Sequence, residues 1–263
     1  MKYGFLGCGN MGGAIAKALC KTTQDVLLAS KSGTSSRVLA EELNCQWTTS
    51  NEEVASRCDV IFLAVKPQMM ADVLAPLIPT LQLRKPILVS MAAGLTLEKI
   101  ESMAGGDLPV IRIMPNTPVS IGKGMITYCH NGVVGQARVN AILSDLTHAG
   151  QFDRINENLM DAATVAAGCS PAYAYMFVEA IAQGAVECGL PQDKALKYAA
   201  EAVLGAVSLL LESGATPSNL KDAVCSPGGS TIAGVKVLEE NGFRATIIKA
   251  ISAAYQRNKE LGK

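Results

Sequence analysis

The stretch YGFLGCGNMGGAIAKAL, residues 3–19, decides how the chain is read. Its first four residues, Tyr3–Leu6, suit a buried strand. Gly7, Gly9 and Gly12 then fall in a G-x-G-x-x-G pattern with Gly13 behind them, and residues 11–21 carry the apolar spacing of a helix. Strand, glycine loop and helix in that order make the turn that receives the pyrophosphate of a dinucleotide. Gly7 makes the tight bend, Gly9 lets the backbone approach the phosphates, and Gly12 lets the helix lie close on its strand.

Outward from that turn the chain alternates. VLLA (26–29), VIFLAV (60–65), ILVSM (87–91), VIRIM (110–114) and MITYC (125–129) read as strands, with helical segments over 35–43, 68–77 and 97–103. This spacing predicts an α/β fold with an N-terminal Rossmann-type doubly wound sheet. Ser50 with Glu53 fits a capping box, Thr96 fits a cap, and Pro67 stands where a helix can begin. Beyond about residue 155 the strand signals stop. Helices are expected over 159–187, 192–213, 218–223, 231–241 and 245–261, jointed at GLPQ (189–192) and GATPS (214–218). The expected division is a cofactor-binding domain, 1–155, and an all-helical C-terminal domain, 156–263.

Composition removes several function classes. Lys+Arg and Asp+Glu number 23 each, so no basic excess supports nucleic-acid binding. The eight cysteines form no C-x-x-C pair, and His130 and His148 are the two histidines, so no metal site is expected. Free thiols in a chain of 263 residues suit a reducing, cytoplasmic setting. The opening MKYGFLGCG has too short an apolar run for a secretory signal. The uncharged stretch 162–178 contains Gly168 and Pro171 and reads as a helix buried within the protein or between subunits, short of a membrane span.

The identity of the dinucleotide turns on the end of the second strand. An acidic residue there would hold the ribose 2′-hydroxyl of NAD. Here the residues are Ser30, Lys31 and Ser32, whose hydroxyls and charge suit a 2′-phosphate, so NADPH is expected over NADH. Three further loops, AVKP (64–67), SMAAG (90–94) and MPNTP (114–118), belong at the carboxyl edge of the sheet, where such folds bind ligands. Their small residues allow a flat ring to approach the backbone, and Asn116 and Thr117 offer polar contacts.

In the helical half, AVCSPGGSTIAG (223–234) breaks the helical pattern with a proline and two glycines. Ser230 or Thr231 is expected to cap a helix beginning near Ile232. Bare backbone N–H groups before a helix can hold an anion, here a carboxylate, without lysine or arginine. An ordinary interhelical turn with a cap fits the same pattern.

The segment DAVCSPGGSTIAGVKVLEENGFRATIIKAI (222–251) resembles the signature of the pyrroline-5-carboxylate reductases. So do FLGCGNMGGAI (5–15), FLAVKPQ (62–68), VSMAAGLTL (89–97), RIMPNTP (112–118) and AAGCSPAYAYMFVEA (166–180), so the likeness runs through the whole chain. It implies reduction of 1-pyrroline-5-carboxylate to L-proline by NADPH, with NADH as an alternative donor, in the last step of proline biosynthesis. It implies interlocked homodimers, which in the family assemble into rings such as decamers. By the same resemblance Gly7, Cys8, Gly9, Asn10, Met11 and Gly12 hold the pyrophosphate. Ser30, with Lys31 and Ser32 beside it, meets the 2′-phosphate, and Asn51 meets a ribose. Ala64, Val65, Lys66, Pro67, Ala93 and Asn116 lie toward the nicotinamide. Gly228, Gly229, Ser230 and Thr231 take the substrate carboxylate, with Thr231 facing the ring nitrogen. Val224 and Cys225 form an apolar wall, and Glu157 aligns with a position that contacts the substrate ring. Many relatives have glycine or serine at the position of Ala167 and glycine at that of Ser170, a departure that bears on helix packing.

The chemistry agrees with a site poor in acid–base residues. Reducing an imine takes a hydride at carbon and a proton at nitrogen, and a protonated imine is already a strong electrophile. Position and electrostatics are then most of what protein groups must add. Thr231 is the expected catalytic side chain, placing the nitrogen and passing a proton with water. Hydroxyacid dehydrogenases share the glycine start and a helical second domain, but they need an acid for a ketone. GCSPAYAYMFVEA lacks the lysine they place there. A non-catalytic cofactor-binding protein would keep the glycine loop and need not keep SPGGST.

Overall fold

The computed structural model describes residues 1–261. Contacts divide the chain into two compact units, one of residues 1–169 with the C-terminal segment from Ala254, the other Ser170–Ala253.

The first unit is built on an eight-stranded sheet among the described residues. Its strands are β1 (Tyr3–Leu6), β2 (Val26–Ala29), β3 (Gln46–Thr48), β4 (Val60–Leu63), β5 (Ile87–Ser90), β6 (Val110–Met114), β7 (Gly124–His130) and β8 (Gly150–Arg154). The order is β3-β2-β1-β4-β5-β6-β7-β8. Strands β1 to β6 are parallel, in registers such as Phe5 with Leu28 and Phe62, and β7 turns antiparallel to β6. The chain winds outward from β1 in both directions, so the carboxyl ends of β1 and β4 flank the switch point where this fold opens a crevice.

Helices α1 (Asn10–Leu19), α2 (Thr34–Leu43), α3 (Asn51–Arg57), α4 (Met70–Leu74), α5 (Ile78–Arg84), α6 (Leu97–Met103) and α7 (Gln136–Asp145) cover the sheet. Because both faces are covered, β1, β2, β4, β5 and β6 are buried at every position, as parallel strands require. One core lies on the α1 side around Phe5, Ile15, Leu28 and Phe62, where the Phe5 and Phe62 rings stack at 4.5 Å. The other, around Leu6, Ile61, Leu63 and Leu88, lies under α3 to α6.

The sheet confirms the doubly wound expectation, and the structure adds β3, β8, α5 and α7 to it. Caps are as read at Thr96, which accepts the Lys99 N–H at 3.2 Å. The capping box at Ser50 is half formed: Ser50 accepts the Glu53 N–H at 3.1 Å, whereas the Glu53 carboxylate accepts from Thr48 at 2.6 Å. The helical run expected over 159–187 is interrupted. A 3₁₀ turn (Glu157–Leu159) leads into α8 (Met160–Ala163), then a π-helical stretch (Thr164–Cys169), then α9 (Ser170–Glu187).

The second unit holds α9, α10 (Gln192–Ser213), α11 (Pro217–Ala223), α12 (Ser230–Glu240) and the first half of α13 (Phe243–Leu261). Its own core is small, centred on Ala182, Ala195 and Ala199. Large apolar side chains stand exposed on it, among them Met176 at 67%, Leu211 at 80% and Ile248 at 65%. Within one chain the 162–178 run is only partly buried, with Val165 at 1% but Met176 exposed, so burial between subunits is the part of the expectation left to a partner copy. Glu157–Glu187 is also long and apolar enough to cross a membrane by length and composition, contrary to the shorter span read from the sequence.

Candidate active site

The glycine turn is built as its sequence requires. Gly7 adopts φ +105°, and a Cβ there would lie 2.6 Å from the Ala64 carbonyl oxygen. At Gly12 a Cβ would meet the Ala64 Cβ at 2.7 Å and the Gly7 oxygen at 2.8 Å, so α1 can lie this close to β1 and β4 only without a side chain. A Cβ at Gly9 would find no atom within 4 Å. Gly9 is the N-cap of α1 and offers no side-chain cap, which leaves first-turn N–H groups facing that open space. Those features fit a pyrophosphate. Cys8 turns its thiol toward the Ala29 carbonyl at 3.4 Å, and burial pushes it up to about 12, so it is a neutral packing group.

Two concavities flank this turn. One, of about 500 Å³, brings together Gly7, Ser30, Lys31, Asn51 and Val65 from the sequence-based set, joined by Thr49, Met69 and Asp72. The other, of about 640 Å³, gathers Cys8, Gly9, Asn10 and Ser32 with Thr34 and Ser35. Thr49 escaped the sequence reading because the three-residue β3, two of whose residues are exposed, gave no strand signal to place it at the sheet edge. Lys66, half-buried Pro67 and half-buried Ala93 sit in the loops after β4 and β5, with Pro67 opening a 3₁₀ turn as expected.

Two residues expected to touch ligand also hold protein partners. Ser30 is 9% exposed, and its hydroxyl donates to Ser36 Oγ at 2.9 Å. Asn116 is 8% exposed; its amide donates to the Ala167 carbonyl at 3.0 Å, and its oxygen accepts the Met125 N–H at 3.0 Å. Pro171, four residues on from Ala167, has no N–H to give that carbonyl in an α-helical bond, which leaves it to the Asn116 amide.

Glu157 has structural partners as well. Its carboxylate accepts the Leu97 N–H at 2.6 Å at the start of α6 and stands 3.6 Å from Arg112. Arg112, 2% exposed on β6, also meets Asp161 at 3.3 Å, and Asn258 donates to Asp161 at 3.0 Å. This buried cation ties β6 to the entry of α8 and to the end of α13.

The loop before α12 resolves as a tight turn. The Gly229 N–H donates to the Ser226 carbonyl at 3.0 Å across Pro227 and Gly228, and Gly228 adopts φ +70°. Proline second and a left-handed glycine third are the requirements of a type II turn. The helix begins at Ser230 rather than near Ile232, with Gly229 as N-cap and no side-chain cap. Ser230 and Thr231 therefore belong to the first turn and do not cap it. That turn leaves the N–H groups of Ser230, Thr231 and Ile232 without intrahelical partners. Val224, Ser230 and Thr231 are exposed, and Cys225 is half-buried. Among the described residues no group of three or more His, Cys, Asp or Glu side chains could hold a metal ion.

Comparison with known proteins agrees with this geometry. Residues 157–261 match the family described as pyrroline-5-carboxylate reductase dimerisation, and residues 2–94 match NADP oxidoreductase, coenzyme F420-dependent. Pyrroline-5-carboxylate reductase of Escherichia coli (strain K12) is 39% identical over 100% of this chain and 98% of its own. The 1-pyrroline-5-carboxylate reductase structure from Streptococcus pyogenes superposes with a TM-score of 0.92 at 36% identity, covering 99% of this chain and 98% of that one. The Plasmodium falciparum pyrroline carboxylate reductase structure with NADP bound has a TM-score of 0.89 at 32% identity, covering 100% and 98%. The chain belongs to the pyrroline-5-carboxylate reductase family.

Proposed function

We propose that this chain reduces 1-pyrroline-5-carboxylate to L-proline at the expense of NADPH, with NADH as a weaker donor. The reaction joins one hydride and one proton to the C=N bond and leaves NADP⁺. The observation that carries the reading is the start of α12: an uncapped first turn, behind a left-handed Gly228, aims unpaired N–H groups outward. Such a terminus holds a small carboxylate without a cationic side chain.

When bound, NADPH supplies the hydride. The residues of this chain that would hold it are Gly7 to Gly12 at the pyrophosphate, Lys31 and Ser32 at the 2′-phosphate and Asn51 at a ribose. Ala64 to Pro67 and Ala93 would line the nicotinamide side. The amides of Ser230 and Thr231 orient the substrate acid, and Gly228 and Gly229 give those amides their direction. The Thr231 hydroxyl places the ring nitrogen and relays its proton with water. Val224 and Cys225 keep water from one face. Ser30, Asn116 and Glu157 support these positions through the partners described above. Fixing the reacting carbon in this way lowers the barrier by up to roughly 7–11 kcal/mol in the best cases.

The exposed apolar faces of α9, α10 and α13 suit a homodimer, and the dimerisation family covers the same residues. This favours a partner copy over a membrane as the cover for Glu157–Glu187, and it fits a cytoplasmic enzyme without nucleic-acid partners. Dimers of this kind build a decameric ring in our reading; sedimentation velocity measures its size. The activity is tested by following NADPH absorbance when the imine is added. Turnover with the imine supports the proposal. Turnover only with keto acids, or cofactor binding without turnover, contradicts it.

A further inference from the structure

Ser36, on the first turn of α2, is 0% exposed, and its hydroxyl closes a ring of hydrogen bonds. Its Oγ accepts the Ser30 O–H at 2.9 Å and donates to the Gly33 carbonyl at 3.1 Å. Its N–H donates to Ser30 Oγ at 3.1 Å, and the Gly33 N–H donates to the Ser30 carbonyl at 3.0 Å. Gly33 holds φ +72°, and a Cβ on it would lie 2.7 Å from Thr49 Cγ2. The turn between β2 and α2 is thus fixed from inside by two buried serines. Lys31 and Ser32 are exposed on its outer side.

A phosphate monoester only accepts hydrogen bonds, so its site must supply donors. A serine has one proton to give, and that of Ser30 is directed into the ring. Donation by Ser30 to a ligand would break the bond to Ser36 and leave a buried acceptor short of a partner. Lys31 and Ser32 can donate with the ring intact. We propose that Ser36 is a positioning residue for cofactor selectivity: it locks Ser30 and Gly33 so that Lys31 and Ser32, and not Ser30, take the 2′-phosphate. The inference rests on the NADPH reading above. Without the ring, binding a 2′-phosphate must also order the turn, and that cost falls on the phosphorylated cofactor.

The test is the ratio of kcat/KM for NADPH to that for NADH in the full-length enzyme, with S36A, S30A and the double variant. Dissociation constants of adenosine 2′,5′-bisphosphate and 5′-AMP are measured alongside. The ratio is expected to fall roughly tenfold in S36A, the scale of one charge-assisted hydrogen bond. It falls similarly in S30A and no further in the double variant, because both remove the same ring. A purely structural role would lower both cofactors together and leave the ratio unchanged, which overturns the proposal. Losses that multiply in the double variant also overturn it, since Ser30 would then act on the phosphate directly. Should S36A not fold, S36C, near in size with a weaker hydrogen bond, is expected to lower the ratio, and an unchanged ratio overturns the proposal. A wild-type enzyme that binds 5′-AMP as tightly as the bisphosphate refutes the NADPH reading itself, whatever the serine variants do.

Discussion

Replacing Gly228 with alanine isolates the loop before α12. Gly228 sits at φ +70°, and a Cβ built on it meets nothing within 4 Å, so the substitution adds strain without a clash. An L-residue in the left-handed region costs roughly 1–2 kcal/mol. The loop can shed that strain only by turning residue 228 toward negative φ. Doing so breaks the bond from the Gly229 N–H to Ser226 and swings the amides of Ser230 and Thr231 out of line. If those amides hold the substrate acid, binding loses an amount up to the strain. At about 1.4 kcal/mol per tenfold, KM for the imine rises roughly 5- to 30-fold. Gly7, Gly9 and Gly12 are untouched, so KM for NADPH stays within about twofold on the same scale. Initial rates of NADPH oxidation, with the imine titrated at saturating cofactor and the reverse, separate the two constants. An unchanged imine KM, or an equal rise in both, refutes the reasoning.

Other expectations follow from single contacts. Gly12→Ala places a Cβ 2.7 Å from that of Ala64, and forcing α1 off the sheet costs about 1–3 kcal/mol, visible as a lower Tm and a higher KM for NADPH. Arg112→Met removes the cation facing Glu157 and Asp161; breaking a buried pair costs about 3–5 kcal/mol. The two carboxylates are about one-third exposed, which lowers the expected loss in urea denaturation to roughly 2–3 kcal/mol after screening. Thr231→Ala should reduce kcat at least roughly tenfold, the loss of one positioning hydrogen bond, while Ser32→Ala chiefly raises KM for NADPH; equal effects on kcat would count against the role of Thr231. Burial pushes Cys8 and Cys58 up to about 12 and Cys129 up to about 11. A raised thiol pKa keeps the neutral form below it, so at mildly alkaline pH iodoacetamide should label exposed Cys188 well before these three, as read by peptide mass spectrometry.

The sheet was legible because its central strands are short and almost wholly apolar, with Ser90 in β5 and Arg112 in β6 as polar exceptions. VLLA and VIRIM match β2 and β6 to the residue. β3 and β8 were not legible for the opposite reason: QWT and GQFDR lie at the two ends of the sheet and carry polar, largely exposed residues. The glycine turn announced itself through spacing, since each glycine answers a separate steric demand. Side-chain engagement left no such trace. Nothing in ASKSGTSSR says that Ser30 bonds to Ser36 six residues on, and nothing near MPNTP says that Asn116 reaches Ala167. Long-range pairs of this sort depend on how elements pack, as does the bond of Glu157 to Leu97. The start of α12 was misjudged by two residues because Ser and Thr favour caps, whereas here Gly229, held by the turn from Ser226, takes the N-cap position.

The central claim is that backbone amides at the start of α12 grip the substrate acid. Its most direct measurement compares kcat/KM for 1-pyrroline-5-carboxylate with that for 1-pyrroline, the same imine without the carboxylate. Two charge-assisted hydrogen bonds at about 1.5–3 kcal/mol each predict a loss of at least about a hundredfold for 1-pyrroline. Equal values for the two imines would contradict the account.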